Sequence, residues 1–112
     1  MIRIKRIYER AEKRDGFRIL VDRLRPRGVS KEKAALNLWL KDIAPSTTLR
    51  KWFGHDSKKW KMFQKKYKSE IMANKGILKE LKGIAKKKNT ITLLYAAKDE
   101  EHNEAVVLKN LF

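Results

Sequence analysis

The sequence predicts an α/β domain: a short, mostly parallel sheet of about three strands, flanked by helices in two or three layers. Residues 91–97 form a continuous apolar run, which is typical of a central parallel strand buried on both faces. Residues 17–21 form a second apolar run, and a long stretch with helical periodicity separates the two. If these strands are neighbours, such a helical crossover makes them parallel and the connection right-handed.

The first elements in chain order are two strands. Residues 2–8 alternate apolar and basic side chains, which predicts a strand, and residues 14–16 (Arg-Asp-Gly) indicate a turn. The second strand covers residues 17–21. Pro26 and Gly28 follow it and exclude a helix at that point, so the strand opens into a loop.

A helix is predicted to follow this loop. Ser30 is a suitable N-cap, and the helix would run to about Asp42. Its apolar face would consist of Ala35, Leu38 and Trp39.

Two further helices are predicted in the middle of the chain. Ser46 or Thr47 would cap a short helix that Gly54 stops, and Asp56 or Ser57 would cap the next one. The apolar residues of that second helix, which we expect in the core, are Trp60, Phe63, Tyr67 and Ile71.

Two more helices complete the chain. Asn74 and Gly76 would separate the preceding helix from one built on Ile77, Leu78, Leu81 and Ile84. Asp99 would cap a terminal helix after the strand at residues 91–97. The apolar residues of this terminal helix are Ala105, Leu108, Leu111 and Phe112.

Length and composition limit the class of protein. A chain of 112 residues fits a single domain over residues 1–112, and 42% hydrophobic residues argue against disorder. The lack of cysteine excludes disulfides, thiolate metal sites and a cysteine nucleophile. No apolar stretch approaches the roughly 20 residues that cross a bilayer, and the N-terminus is too charged for a secretory signal. We therefore expect a cytoplasmic protein with no membrane contact.

The formal net charge is +16, from 29 Lys and Arg against 13 Asp and Glu. Residues 58–88 hold 12 of the lysines and only two acids, Glu70 and Glu80. Such a field attracts nucleic acid and other polyanions, although a solvated lysine surface gives the same pattern. The lysines that would contact nucleic acid from helices within residues 57–88 are Lys58, Lys59, Lys65, Lys66, Lys86, Lys87 and Lys88.

The loop after the second strand is the first candidate for a ligand site. Asp22 and Arg23 follow the strand directly, where ligands bind in open α/β sheets, and Asp22 would serve as a general base or form a structural ion pair with Arg23. Arg23 and Arg27 are suited to gripping a phosphate or carboxylate, and Gly28 would let the backbone approach it. Arg25 would add to that grip or be solvated.

The loop after the last strand is the second candidate. Lys98 and Asp99 would contact a ligand, and His102 would act as an acid or base if it faces the same pocket. His55 would join them if its loop folds over the strand ends. Two histidines 47 positions apart, without cysteine, do not form a recognisable metal site, although Asp22 and Asp99 would suit a hard cation. No motif indicates a cofactor.

Several long motifs resemble the YeaO-like family, a bacterial and archaeal domain of unknown function. They are residues 19–24 (ILVDRL), 26–31 (PRGVSK), 38–46 (LWLKDIAPS), 49–56 (LRKWFGHD) and 95–103 (YAAKDEEHN). The resemblance covers essentially the whole chain. It implies a compact α/β domain and brings no established activity with it.

Two positions differ from the usual pattern of that family. Arg25 stands where the family typically has tryptophan, and Glu104 stands where a second histidine is common. The second difference weakens any metal or acid–base chemistry that such a histidine would support.

Two functions from different classes follow. The first is a pocket at the carboxyl ends of the strands that binds, and in one version converts, a phosphate-bearing small molecule such as a nucleotide. The second is a basic nucleic-acid-binding protein that uses the lysine-rich helices. We favour the pocket because the unusual residues lie at strand ends, whereas the lysines lie on helix exteriors. The sequence leaves the oligomeric state open.

Overall fold

The computed structural model describes residues 1–112, apart from the side chain of Lys31. Its centre is a four-stranded, fully parallel sheet in the order β1-β4-β2-β3. The strands are β1 (Ile2–Arg6), β2 (Phe17–Leu20), β3 (Leu38–Trp39) and β4 (Ile91–Tyr95). The predicted α/β class is confirmed, as is the parallel pairing of β2 with β4, and the sheet has one strand more than expected.

The central strand β4 is buried along its whole length, which explains its continuous apolar sequence. Ile91, Leu93 and Tyr95 face the main core, together with Ile19 on the neighbouring strand. The alternate residues of the sheet, among them Leu94, face the opposite side. The two faces of the sheet therefore have separate packing partners.

Helices cover the main face of the sheet. The longer helices supply the large apolar groups, since Phe63, Tyr67 and Leu81 are all buried in the same cluster as Leu93. The helices are α1 (Lys31–Ala34), α2 (Thr47–Phe53), α3 (Trp60–Ala73), α4 (Lys75–Lys88) and α5 (Glu104–Lys109), with 3-10 helices at Lys13–Asp15, Lys41–Ile43 and Ser57–Lys59.

The opposite face of the sheet holds a small apolar cluster that includes Leu94 and Ala34, and beside it a buried charged network. Asp15 is completely buried and receives the side chains of Lys5, at 3.2 Å, and Arg18. Arg18 also donates to the carbonyl of Ala34, and Thr92 donates its hydroxyl to the carbonyl of Asp15 at 2.7 Å. The network ties β1, β2 and β4 to the cover formed by the 3-10 helix and α1.

The helix expected from Ser30 to Asp42 is wrong in its extent. Ser30 does cap a helix, since its Oγ accepts from the backbone N of Lys33 at 3.1 Å, but α1 ends after one turn. Ala35 then takes a positive φ of 48° and breaks the helical run. Leu38–Trp39 instead pairs in parallel with β2, because tertiary pairing outweighs a periodicity that also fits a helix.

The predicted caps of the middle helices are confirmed at Ser46, Gly54 and Asp56. Ser46 Oγ accepts from the backbone N of Leu49 at 3.1 Å, and Gly54 ends α2 in the left-handed conformation. Asp56 accepts from the backbone N of Lys58 at 3.0 Å and begins the short 3-10 helix that leads into α3.

Two expected helix starts are wrong. Gly76 lies inside α4, and Asn74 alone separates α4 from α3. The terminal helix begins at Glu104 with Asn103 as its cap, because Asp99 caps a separate turn instead: its Oδ1 accepts from the backbone N of His102 at 3.0 Å. This turn is what presents Asp99 and His102 beyond the end of β4.

No helix in the described part of the chain is both long and apolar enough to span a bilayer.

Candidate functional site

A cavity of about 680 Å³ opens at the carboxyl edge of the sheet. Segments that follow all four strands line it: Tyr8 after β1, the loop 22–27 after β2, Ala44 and Pro45 after β3, and residues 96–99 after β4. The crevice beyond the carboxyl ends of parallel strands is where open α/β sheets bind ligands. The volume lies in the ordinary range for small-molecule sites.

Asp22 joins the two loops that the sequence singled out. Its Oδ2 accepts a hydrogen bond from the backbone N of Ala96 at 3.0 Å, which fastens the end of β2 to the end of β4. Its own carbonyl accepts from Trp39 Nε1 at 2.7 Å. Asp22 and His102, which we expected to meet only if the strands were neighbours, therefore line one cavity.

A second carboxyl group, that of Glu104, lies beside Asp22 in the cavity wall. Its Oε1 atom is buried and has no hydrogen-bond donor from another side chain or the backbone among the described residues. Burial raises the pKa of the Glu104 carboxyl well above its usual value, and the neighbouring Asp22 carboxyl raises this pKa further. A carboxyl group with a raised pKa holds its proton to a higher pH than an ordinary glutamate, and a protonated Glu104 can donate to the neighbouring Asp22 carboxyl.

His102 and Asp99 form a hydrogen-bonded pair on the same cavity wall. His102 Nδ1 lies 2.8 Å from Asp99 Oδ2, and the imidazole rests edge-on against Trp60 at 5.1 Å between ring centroids. The hydrogen bond from His102 lowers the pKa of the Asp99 carboxyl. An imidazole whose Nδ1 is held by a carboxylate presents Nε2 outward, which is an arrangement suited to binding or to proton transfer.

Arg23, which the sequence predicts to bind an anion or to pair with Asp22, forms structural hydrogen bonds to backbone carbonyl groups. It lines the cavity, but its Nε donates to the carbonyl of Pro45 at 3.1 Å and its Nη2 donates to the carbonyl of Ala44 at 3.2 Å. The guanidinium therefore holds the entry of α2 against the end of β2.

Four other cations surround the cavity and form no side-chain hydrogen bond or ion pair with the described residues. All four side chains are exposed: Arg25, Arg27, Arg50 and Lys98. With Arg23 they make five cations, against three carboxyl groups among the lining residues, those of Asp22, Asp99 and Glu104. The lining of the cavity therefore carries net positive charge.

The two remaining predicted ligand residues differ in position. His55 lines the cavity with a positive φ of 59°, close to the ring of Phe53. Gly28 is not among the lining residues, and an added Cβ would meet no atom within 4 Å. Its φ of +71° accounts for the glycine through turn geometry, without a close approach to a ligand.

The seven lysines proposed for nucleic acid do not line the cavity. All are exposed except Lys59, which is half-buried. Lys59 and Lys66 place their Nζ atoms 5.1 and 5.2 Å from the ring centroid of Trp52, the partly exposed tryptophan of α2. Lys88 lies in the same way over Phe17.

Sequence reasoning missed Arg50 and undervalued Glu104. Arg50 precedes the cavity residue Phe53 by three positions on α2, so the two share a helix face. Glu104 lies three and four positions before the buried Val107 and Leu108, which places a carboxyl group on the apolar face of α5. An acid on an apolar helix face was the signal available.

Within the described residues, no three His, Asp or Glu side chains lie close enough together to hold a metal ion.

Comparison with known proteins identifies the family. A family model described as the inactive DUF488-N3 subclade matches residues 1–112. The chain is 47% identical over 107 residues to "Uncharacterized protein YeaO" of Escherichia coli K12, covering 96% of this chain and 92% of that protein. It is 33% identical over 112 residues to "Uncharacterized protein Rv3073c" of Mycobacterium tuberculosis H37Rv, covering 98% and 92%. No solved structure matches significantly. The chain therefore belongs to the YeaO-like DUF488 family, within the subclade described as inactive DUF488-N3.

Proposed function

We propose that the cavity at the carboxyl edge of the sheet binds a phosphate-bearing small molecule, such as a nucleotide or a sugar phosphate. The observation that carries this proposal is the group of four exposed cations, Arg25, Arg27, Arg50 and Lys98, around one cavity with no partner of their own among the described residues. Guanidinium groups grip phosphate oxygens in pairs, and a lysine adds a point charge. An anion would neutralise the excess positive charge.

The cavity has room for more than the anion. Its wall includes apolar groups from several elements, among them Leu24, Phe53 and Phe63. Phe53 and Phe63 stack with 4.3 Å between their centroids and make a rigid apolar surface. Such a mixture of an apolar wall and a few polar groups is usual for sites that bind the organic part of a small ligand.

We propose binding without turnover as the main activity. The subclade description, "inactive", supports this choice. Asp22 and His102 remain the residues that would move a proton if the ligand is converted, since both line the cavity and His102 is oriented by Asp99. If the protein releases a product when it is incubated with a phosphate ester, conversion of the ligand would be favoured over binding alone.

Arg27→Ala tests the proposal. Thermal unfolding with increasing ribose 5-phosphate should show a rise in the melting temperature of the unchanged protein, because a ligand that binds only the folded state stabilises it. Loss of one charge-assisted contact should weaken apparent affinity by about tenfold or more. The domain should remain folded because the Arg27 side chain makes no hydrogen bond to the described residues.

Lys82→Ala is the matched control, since it removes the same charge from an exposed position on α4 that does not line the cavity. We expect Lys82→Ala to bind as the unchanged protein does. Equal affinity in all three proteins would remove Arg27 from the site, and no shift with any phosphate ester would contradict the function itself.

Nucleic-acid binding through α3 and α4 is the second candidate, supported by the exposed lysines of those helices. Trp52 of α2 is a partly exposed ring beside these lysines, but Lys59 and Lys66 already lie over it, so base stacking would require their displacement. Binding by this route would depend on phosphate contacts and would fall steeply with salt. A thermal shift produced by oligonucleotides alone, lost at high salt and unaffected by Arg27→Ala, would favour it.

A further inference from the structure

The positively and negatively charged groups of the cavity differ in their exposure to solvent. Four of its five cations have exposed side chains, as Arg27 and Arg50 illustrate, whereas Asp22 is half-buried and the Oε1 atom of Glu104 is buried. A ligand bound in such a cavity experiences opposite electrostatic preferences at its two ends. The outer end favours an anion, and the inner end favours a group that donates hydrogen bonds.

The carboxyl groups of Asp22 and Glu104 have no cationic partner, whereas the buried carboxylate of Asp15 has two. Asp15, on the opposite face of the sheet, is matched by Lys5 and Arg18. Neither Asp22 nor Glu104 forms an ion pair with any described residue, although Arg23 lines the same cavity. Acidic groups left uncompensated inside a cleft are typical of functional sites.

Protonation of Glu104 would satisfy part of the hydrogen-bonding capacity of these two carboxyl groups, and the remainder would be available to a ligand. A protonated Glu104 would donate a hydrogen bond to the Asp22 carboxyl beside it, which removes the repulsion between the two groups. Asp22 Oδ2 already accepts from the backbone N of Ala96. The pair retains acceptor capacity toward the cavity, because a carboxylate has about four acceptor positions.

Building on the proposed function, we propose that Asp22 and Glu104 bind hydroxyl groups at the inner end of the ligand. The cavity would then select phosphate esters of sugars over phosphate esters that lack hydroxyl groups. A hydroxyl donates to the ionised carboxyl and can accept from the protonated one. An ammonium group fits less well because the cavity already carries excess positive charge.

Isothermal titration of ribose 5-phosphate and phenyl phosphate tests this selectivity. Phenyl phosphate has the same anionic group and a flat body without hydroxyl groups. We expect the unchanged protein to bind ribose 5-phosphate about tenfold more tightly, the equivalent of one good hydrogen bond to a charged group. Asp22→Asn, which keeps an oxygen to accept from Ala96, should bring the ratio close to one, mainly through loss of ribose 5-phosphate binding.

Glu104→Ala, which removes both the donor and the acceptor atoms of the side chain, is the second variant and should also lower the ratio, with folding checked by circular dichroism. Arg27→Ala is the matched control: it should weaken both esters and leave their ratio unchanged. If both esters bind and the ratio is the same in Asp22→Asn and Glu104→Ala as in the unchanged protein, this inference is wrong while the proposed function stands. If neither ester binds the unchanged protein, the proposed function fails, and this inference fails with it.

Discussion

Asp15→Ala should lower the free energy of unfolding by about 3–5 kcal/mol, the usual cost of leaving buried charges without their partner. Asp15 is completely buried between Lys5 and Arg18, whose side chains are 9% and 4% exposed. The alanine variant would leave two cations facing each other in the covered face of the sheet. Urea denaturation followed by circular dichroism measures the change.

Glu12→Ala is the control for this prediction. Glu12 also contacts Lys5, at 2.8 Å, but its side chain is 41% exposed and screened by solvent, so we expect a much smaller loss than for Asp15→Ala. Should Asp15→Ala fail to fold, Asp15→Asn retains the shape and the acceptor oxygen. A loss for Asp15→Asn as small as that of Glu12→Ala would show that the network contributes little.

The same network predicts a dependence on acid. Burial alone raises the pKa of Asp15, but the hydrogen bonds from the Glu12 backbone, Lys5 and Arg18 outweigh it and lower this pKa below the ordinary 3.8. The stability from Asp15 is therefore present above that ordinary value and is lost as the pH falls through the lowered pKa. Asp15→Asn should flatten this acid limb of the stability curve.

Glu104→Gln should raise the melting temperature, by a margin that grows as the pH rises above 4.5 toward the raised pKa of Glu104. Burial and the Asp22 carboxyl raise the pKa of Glu104 in the folded state, whereas the unfolded chain releases this proton near 4.5. The favourable contribution of the protonated acid is complete below 4.5 and is lost as the pH rises toward the raised pKa. Glutamine keeps the size of the side chain and the ability to donate to Asp22 without that titration.

Thermal unfolding of both proteins across this pH range measures the effect. Glu101→Gln makes the same chemical change at an exposed position in the loop before α5, and its margin should be smaller than that of Glu104→Gln. A Glu104→Gln variant that melts below the unchanged protein at every pH would mean that Glu104 is ionised and favourably bound in the folded state.

The sequence predicts the parts of this fold in which local chemistry and tertiary packing agree. The apolar run of β4 has only one stable environment, and the caps at Ser46 and Asp56 satisfy backbone groups of their own turns. Where two structures fit one pattern, tertiary contacts decide: Leu38–Trp39 carries helical spacing but pairs with β2. Asp99 is a residue type suited to capping α5 or the turn before it. It caps the turn, and Asn103 caps α5.

The candidate site is predictable in outline because parallel strands bring their carboxyl ends to one edge. That rule brings Asp22 and His102 to one cavity but does not show how each side chain is bonded. The engagement of Arg23 with Pro45 and Ala44 depends on the path of the chain after β3, the strand that the sequence did not reveal. The pairing of Asp22 with Glu104 depends in the same way on where α5 begins.

Nuclear magnetic resonance titration of the isotopically labelled protein with ribose 5-phosphate tests the central claim, that the cavity is the binding site. The account predicts saturable shifts of the backbone amides in residues 22–28 and 96–103, with the amides of α4 unmoved. Shifts confined to the lysine-rich surface of α3 and α4, or none in the cavity loops at saturating ester, would contradict it.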